Sequence, residues 1–430
     1  MADAHERTRP AAWVFGVVAI LAAYFALVPL VRGRGAYGWG HYRLVDVYLA
    51  LPLVAISLAC LSLFIKAPRT RDLLQKLGLV AVSAVMTLIV ADVLYVFAVV
   101  GVRRAYYWFD VRGVPEVWND RDPVRGFRRK PHLSWEGTKA HPVSYATDDH
   151  GFRNPPGIQR ADVAFVGDSF TEGGMVEPLD TFVRLTGAAL RVPVINLGVG
   201  AYSPPQELEV LAQEVPRYHP RIVVWQIYEG NDLYETEWFV QWRAAPGASK
   251  LRLKQFYVAR SPLCHVLEAT VRHDEPGISL RMPDGTLRAL RKCDAAVANP
   301  DTQYRVGLDG TLDALRRGAA LCHERRQRLV VLLVPTVMRA LEPRLVFRDE
   351  ASRRAVLPAG AEANRLVSRL GDLCRDAGCV FVDALPPLRA RAVEDPTAIT
   401  FDDDPHLDVA GNRVVADELT QVLRPLMRNQ

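Results

Sequence analysis

Residues 163–174 read VAFVGDSFTEGG. A short apolar run closed by Gly167 is the pattern of a fully buried strand, and Asp168–Ser169 then set a hydroxyl at the strand's C-terminal end. Gly173 and Gly174 let the backbone come close to a bound group. Serine is a weak nucleophile until a base removes its proton. Taken alone, the stretch is equally an ordinary strand-to-helix turn, and it acquires chemistry only if a base comes from elsewhere.

Outward from this stretch the same grammar repeats. Val192–Asn196, Ile222–Ile227, Leu329–Val334 (closed by Pro335) and Val380–Val382 are further strand candidates. Amphipathic helices are expected over Pro178–Leu190, Pro205–Val215 and Leu308–Arg326. Strands alternating with helices define an α/β domain whose parallel sheet is covered on both faces. In such sheets ligands sit at the carboxyl ends of the strands, which is where the polar motifs fall. The stretch from about Tyr234 to Asp301 breaks the alternation and is too long for a plain connection. It reads as an insertion that either covers the site or makes a surface excursion.

Three further segments carry candidate chemistry. After the second strand comes NLGVGAYSPPQE (196–207), whose small residues let backbone N–H groups face a ligand. After the third comes QIYEGND (226–232), where Asn231 can donate to a developing oxyanion. Near the C-terminus comes FDDDPHLDVAGNRVVADEL (401–419). Here Asp403 precedes His406 by three residues, on a loop before a helix expected to begin near Val409. A carboxylate so placed can fix the imidazole tautomer that accepts the serine proton. Three aspartates beside a histidine also fit a metal site or a solvated acidic loop.

Together the four segments resemble the GDSL-type esterases of the SGNH hydrolase family, membrane-anchored bacterial members included. GDSFTEG stands as the first block, GND as the third, and Asp403–Asp404–Pro405–His406 as the DxxH motif. The resemblance runs over roughly residues 135–430 and includes the lead-in YATDDHGFRNPP (145–156). It implies a flavodoxin-like three-layer α/β/α domain over residues 161–430. It also implies acyl transfer through a Ser169–His406–Asp403 triad, with no metal or organic cofactor. The implied oxyanion hole draws on the amides of Ser169 and of Gly200 or Ala201, with the Asn231 side chain. Ala201 stands where the family usually has glycine. The substrate class is an ester of a glycan, a lipid or a small alcohol, and the sequence does not choose among them. A cell-surface O-acyltransferase served by a membrane acyl-donor partner, or a non-catalytic binding or scaffold subunit of the same fold, are the alternative readings.

The N-terminal part is different in kind. Ala11–Val31, Val47–Ile65 and Leu77–Val102 are apolar runs near the roughly 20 residues that a helix needs to cross a bilayer. The first is longer than a signal-peptide core of about 7–15 residues and has no small-x-small cleavage site after it. The expectation is a three-helix anchor over residues 1–104, then a linker and lead-in over 105–160. Counting Lys and Arg near the spans gives six on each side, so the positive-inside rule leaves orientation open. Anchored family members hold this domain outside the cytoplasm, which gives the expected localisation as a bacterial inner membrane. Asp92, inside the third run, is either functional or paired with a neighbouring segment.

The net charge of +5 and the absence of any nucleic-acid motif make the bilayer and an ester the expected partners. The basic stretch Arg121–Lys130 reads as a solvated loop or a contact with anionic lipid. The cysteines (Cys60, Cys264, Cys293, Cys322, Cys374, Cys379) form no metal-type pairs. A Cys264–Cys293 bridge would suit an oxidising compartment, though spacing cannot establish it.

Overall fold

The computed structural model describes residues 68–96, 118–136, 142–244, 261, 263, 278–290, 301, 304–357, 364–401 and 404–428. The chain divides into two compact units, residues 1–114 with 247–274, and 115–246 with 275–430.

In the first unit, helix α1 spans Pro68–Leu94. It covers most of the third apolar run but starts earlier than expected, so that Arg69, Arg71, Asp72 and Lys76 fall in its first turns. Lys76 pairs with Asp72 one turn away at 2.7 Å. Among the described residues no helix is long and apolar enough to cross a membrane. The first two apolar runs, the end of the third, and Cys264 and Cys293 lie outside the described residues. Asp92 is buried and accepts hydrogen bonds from the Ser261 hydroxyl (2.6 Å) and the Leu263 amide (3.1 Å). The insertion therefore returns to α1 and satisfies its carboxylate, as a buried polar group requires.

The second unit begins with two antiparallel pairs, β1 (Asn119–Asp122) with β2 (Gly126–Arg129) and β3 (Ser134–Glu136) with β4 (Ser144–Ala146). The basic stretch around β2 is solvated only in part: Arg121 and Arg128 are exposed, whereas Arg125 and Arg129 are turned inward and paired. Arg125 is buried against Asp122 (2.8 Å) and Glu214 (3.4 Å). Arg129 is largely enclosed against Glu172 at 2.8 Å, with its side chain 12% exposed. Each pairing supplies the partner that a buried guanidinium needs.

The sequence-predicted strands follow nearly in place: β5 (Val163–Val166), β6 (Val194–Asn196), β7 (Ile222–Tyr228), β10 (Arg328–Val334) and β12 (Val380–Asp383). All pair in parallel, in the order β12-β10-β7-β5-β6. That is the 2-1-3-4-5 order of flavodoxin-like sheets, whose crevice opens where the order reverses, outside β5 and β7. The seven residues of β7 are all buried, as expected for a central strand with helices on both faces.

Alternation along the strands sorts the two layers. Val163, Phe165, Ile222 and Val224 belong to one core cluster with Phe182, Leu388, Leu419 and Leu423. These come from α3 (Phe182–Leu190), α10 (Leu385–Glu394) and α11 (Val409–Arg428). Trp225 points the other way. Its indole N–H donates to Glu207 in α4 (Pro204–Gln213) at 2.7 Å, and its ring lies where a side chain at Gly318 of α6 (Arg305–Glu324) would stand.

The expected insertion starts as helix α5 (Asp232–Ala244). Beyond the segment that joins the first unit, it forms β8 (Ile278–Arg281) and β9 (Leu287–Ala289), which with β11 (Leu345–Phe347) make a small antiparallel sheet.

Candidate active site

Ser169 does not sit on the short loop that the sequence places before a helix beginning near Pro178. It opens a four-residue helix, α2 (Ser169–Glu172), that starts directly after β5 and Gly167–Asp168. Asp168 caps this helix, its Oδ1 accepting the Phe170 amide at 2.9 Å. Burial pushes the Asp168 carboxyl up to about 6, against the Phe170 hydrogen bond and the attraction of His406, which lower it. Gly173 ends the helix in the left-handed conformation, at φ 67°.

His406 arrives from the other end of the chain. Its loop is stapled by the Thr400 hydroxyl, which donates to the carbonyls of Asp404 (2.9 Å) and His406 (2.8 Å). The loop then enters α11, where Asp408 accepts the Gly411 amide at 2.7 Å. In this setting His406 Nε2 lies 2.8 Å from Ser169 Oγ. The imidazole also lies against the Phe170 ring, centroid to centroid 4.7 Å.

The carboxylate seated on His406 Nδ1 is that of Asp404, at 2.5 Å, whereas the sequence pattern pointed to Asp403. Asp403 itself lies outside the described residues. The geometry has a local cause: Asp404 Oδ1 also accepts the His406 backbone amide at 2.9 Å. This turn of an aspartate onto the amide two residues on folds its side chain back over the ring.

The loop after β6 packs onto α2 without intervening side chains. A Cβ at Gly198 would stand 2.4 Å from the Glu172 nitrogen, and one at Gly200 3.4 Å from Ser169 Cβ. The Gly200 amide donates to Glu172 Oε2 at 2.9 Å, so it is already engaged. The next amide, that of Ala201, meets no acceptor among the described residues, and Ala201 stands at φ 68°. Left-handed backbone is rare and costly for a residue with a Cβ, and it is the conformation the usual glycine would adopt freely. Asn231 follows β7, the neighbour of β5, and its buried Oδ1 meets no donor among the described residues.

A shallow recess opens beside Ser169 and His406, walled by Phe170, Gly173, Gly174, Met175, Val176, Leu407 and Asn412. Its walls are mostly apolar, and it is small.

Sequence reasoning missed the contribution of the lead-in. Arg153 donates to the Gly173 carbonyl and, at 2.8 Å, to that of Val176, both on the rim of the recess. Asn154 brackets Asn196 on β6, accepting its amide at 3.0 Å and donating to its carbonyl at 2.8 Å. GFRN (151–154) lies in the lead-in that resembles that of related proteins, and no local pattern marks such distant partners.

A parallel α/β sheet carrying a serine and a histidine in hydrogen-bond contact at its carboxyl end defines a serine-hydrolase type of site. Residues 165–414 match the GDSL-like Lipase/Acylhydrolase family, and the chain belongs to that family of ester hydrolases. No curated protein matches it. Similar solved structures include a catalytic mutant of an acetylxylan esterase from Geobacillus stearothermophilus, at 14% identity and TM-score 0.34, covering 60% of this chain and 92% of that one. A GDSL-like lipase from Bacteroides thetaiotaomicron is 14% identical with TM-score 0.32, covering 62% and 89%. An α/β hydrolase from the Lake Arreo metagenome is 15% identical with TM-score 0.34, covering 62% and 97%.

Proposed function

We propose that the protein is a membrane-anchored serine esterase in which Ser169 is the nucleophile and His406 the general base. The observation that carries this reading is the 2.8 Å contact between Ser169 Oγ and His406 Nε2. As Oγ attacks an ester carbonyl, Nε2 takes its proton, and the Asp404 carboxylate on Nδ1 orients the ring and stabilises the imidazolium. The oxyanion is held by the amides of Ser169 and Ala201 and by the Asn231 carboxamide. Collapse expels the alcohol, protonated by His406. Water, deprotonated by the same imidazole, then releases the acyl group as free acid. The recess beside Ser169 is small, which favours a short acyl chain such as acetyl over a long one.

Anchoring rests on the three apolar runs and on the surface of α1. Leu79, Leu88 and Leu94 are 66%, 59% and 60% exposed, a density of bare leucine that favours lipid over water. We place the catalytic unit outside the cytoplasm, where cell-surface esters are within reach.

The test is hydrolysis of p-nitrophenyl acetate by the full chain and by a folded Ser169→Ala variant, with fluorophosphonate labelling alongside. Loss of both turnover and label in the variant is expected, and undiminished turnover would overturn the assignment. With a glycan acceptor present, free acid is the expected product. Acyl groups appearing on the glycan would instead make the enzyme a transferase. Retention in membranes after an alkaline carbonate wash is expected, and release into the supernatant would remove the anchor.

A further inference from the structure

Four polar contacts converge on the buried carboxylate of Glu172, the last residue of α2. Arg129 Nε donates to Oε1 at 2.8 Å and Nη2 to Oε2 at 3.0 Å. The Tyr145 hydroxyl donates to Oε1. The Gly200 amide donates to Oε2 at 2.9 Å. The donors come from β2, β4 and the loop after β6, and the acceptor stands three residues from Ser169. The donors are themselves braced: Arg129 Nη1 donates to Asn119 at 3.0 Å, and the Tyr145 ring stacks on Trp135 at 3.7 Å, which stacks on Trp118 at 5.0 Å. Burial opposes ionisation of Glu172. Arg129, the tyrosine hydroxyl and the Gly200 amide outweigh it and hold the carboxyl below the usual range.

This cluster does more than fasten the lead-in. A buried ion pair that only joined two segments would have no need of a backbone amide from the loop touching the nucleophile. By capturing the Gly200 N–H, Glu172 fixes the orientation of that peptide plane and so of the next one. The next N–H is that of Ala201, held in a left-handed conformation that an alanine would not keep unaided. We propose that Glu172, with Arg129 and Tyr145, positions the oxyanion hole by holding Gly200 so that the Ala201 amide faces the acyl oxygen. The proposal rests on the reading above that Ser169 is the nucleophile and Ala201 a donor. None of the three residues lines the recess beside Ser169, and each acts through the loop.

The test is steady-state hydrolysis of p-nitrophenyl acetate by full-length Glu172→Gln and Tyr145→Phe, with thermal melting and inhibition by phenylboronic acid, which mimics the tetrahedral adduct. Loss of a single oxyanion donor costs about 10²–10³ in kcat, and misorientation of one should cost part of that. The expected result is a kcat lower by about 10–100-fold for Glu172→Gln and less for Tyr145→Phe, with KM within about threefold of wild type. Boronate affinity should fall in step with kcat/KM, and the pH dependence set by His406 should not move. A fall in melting temperature with kcat and boronate affinity unchanged would show a purely structural ion pair and overturn the proposal. If Glu172→Gln does not fold, Tyr145→Phe, which keeps the ring stack, decides by the same readouts. Ser169→Ala measured in parallel separates the two layers. Activity lost there but intact in Tyr145→Phe and Glu172→Gln overturns the positioning role alone, whereas activity retained in Ser169→Ala overturns both.

Discussion

His406 Nε2 stands 2.8 Å from Ser169 Oγ, although 237 positions of sequence separate the two residues. The contact is made because β5 delivers the serine and the loop before α11 delivers the histidine to the same end of one sheet. Replacing the imidazole removes the base but leaves the fold's framework, since its loop is held through Thr400 to backbone carbonyls. General-base catalysis contributes about 10²–10⁴-fold. His406→Ala should therefore lower kcat for p-nitrophenyl acetate by about that factor, with a parallel loss in the rate of fluorophosphonate labelling. Labelling at the wild-type rate would show that Ser169 is activated by some other group.

The carboxylate assignment is open to a direct comparison. Asp404 Oδ1 lies 2.5 Å from His406 Nδ1, where an acceptor selects the tautomer with Nε2 free to take a proton. Loss of that selection can cost as much as about 10⁴ in kcat. Asp404→Asn should lose about 10²–10⁴ in kcat with little change in KM, while Asp403→Asn should stay within about tenfold of wild type. The reverse order would return the role to Asp403, the residue that sequence spacing favoured.

How far each feature could be read in advance follows from the range of the force behind it. The five core strands were legible because burial on both faces of a parallel sheet writes itself as short apolar runs, each closed by a turn residue. Ser169 and His406 were legible because each stands in a recognisable local motif. The choice between Asp403 and Asp404 was not. Three successive aspartates have no periodicity, and which one folds back onto the ring depends on a hydrogen bond to a single amide. The roles of Arg129 and Arg153 were hidden for a different reason. Their partners, Glu172 and the carbonyls of Gly173 and Val176, are remote in sequence, so a stretch read as solvated or lipid-facing holds a buried Arg125 and an enclosed, paired Arg129 beside the exposed Arg121 and Arg128. The start of α1 was misplaced because apolar length does not register charged residues continuing the helix beyond it.

Ala201 offers a test in which stability and activity should part company. At φ 68° its Cβ is set against the following carbonyl, at a cost of about 1–2 kcal/mol. Glycine would relieve that strain while losing about 0.5–1 kcal/mol through the freedom of the unfolded chain. Ala201→Gly should thus be neutral to stabilising by up to about 1.5 kcal/mol in denaturant unfolding. Since the proposed donor is a backbone N–H, kcat should stay within about twofold. A clear loss of kcat would mean that the methyl group itself shapes the site.

The last prediction concerns pH and follows from Asp168, whose carboxyl burial pushes from an ordinary 3.8 up to about 6. The folded pKa is the higher one, so between about pH 4 and pH 6 the native state binds more protons at this residue than the unfolded chain does. Stability falls with rising pH wherever that holds. Asp168 therefore costs the protein nothing below its unfolded pKa, progressively more as pH rises through that window, and a constant amount above it. Asparagine removes the titration yet keeps an oxygen to accept the Phe170 amide and cap α2. The denaturation midpoint of Asp168→Asn relative to wild type should accordingly climb between pH 4 and pH 6 and then level off. A difference independent of pH across that range would show that Asp168 stays ionised in the folded protein, and that Gln226 and His406 offset its burial more fully than the raised value implies.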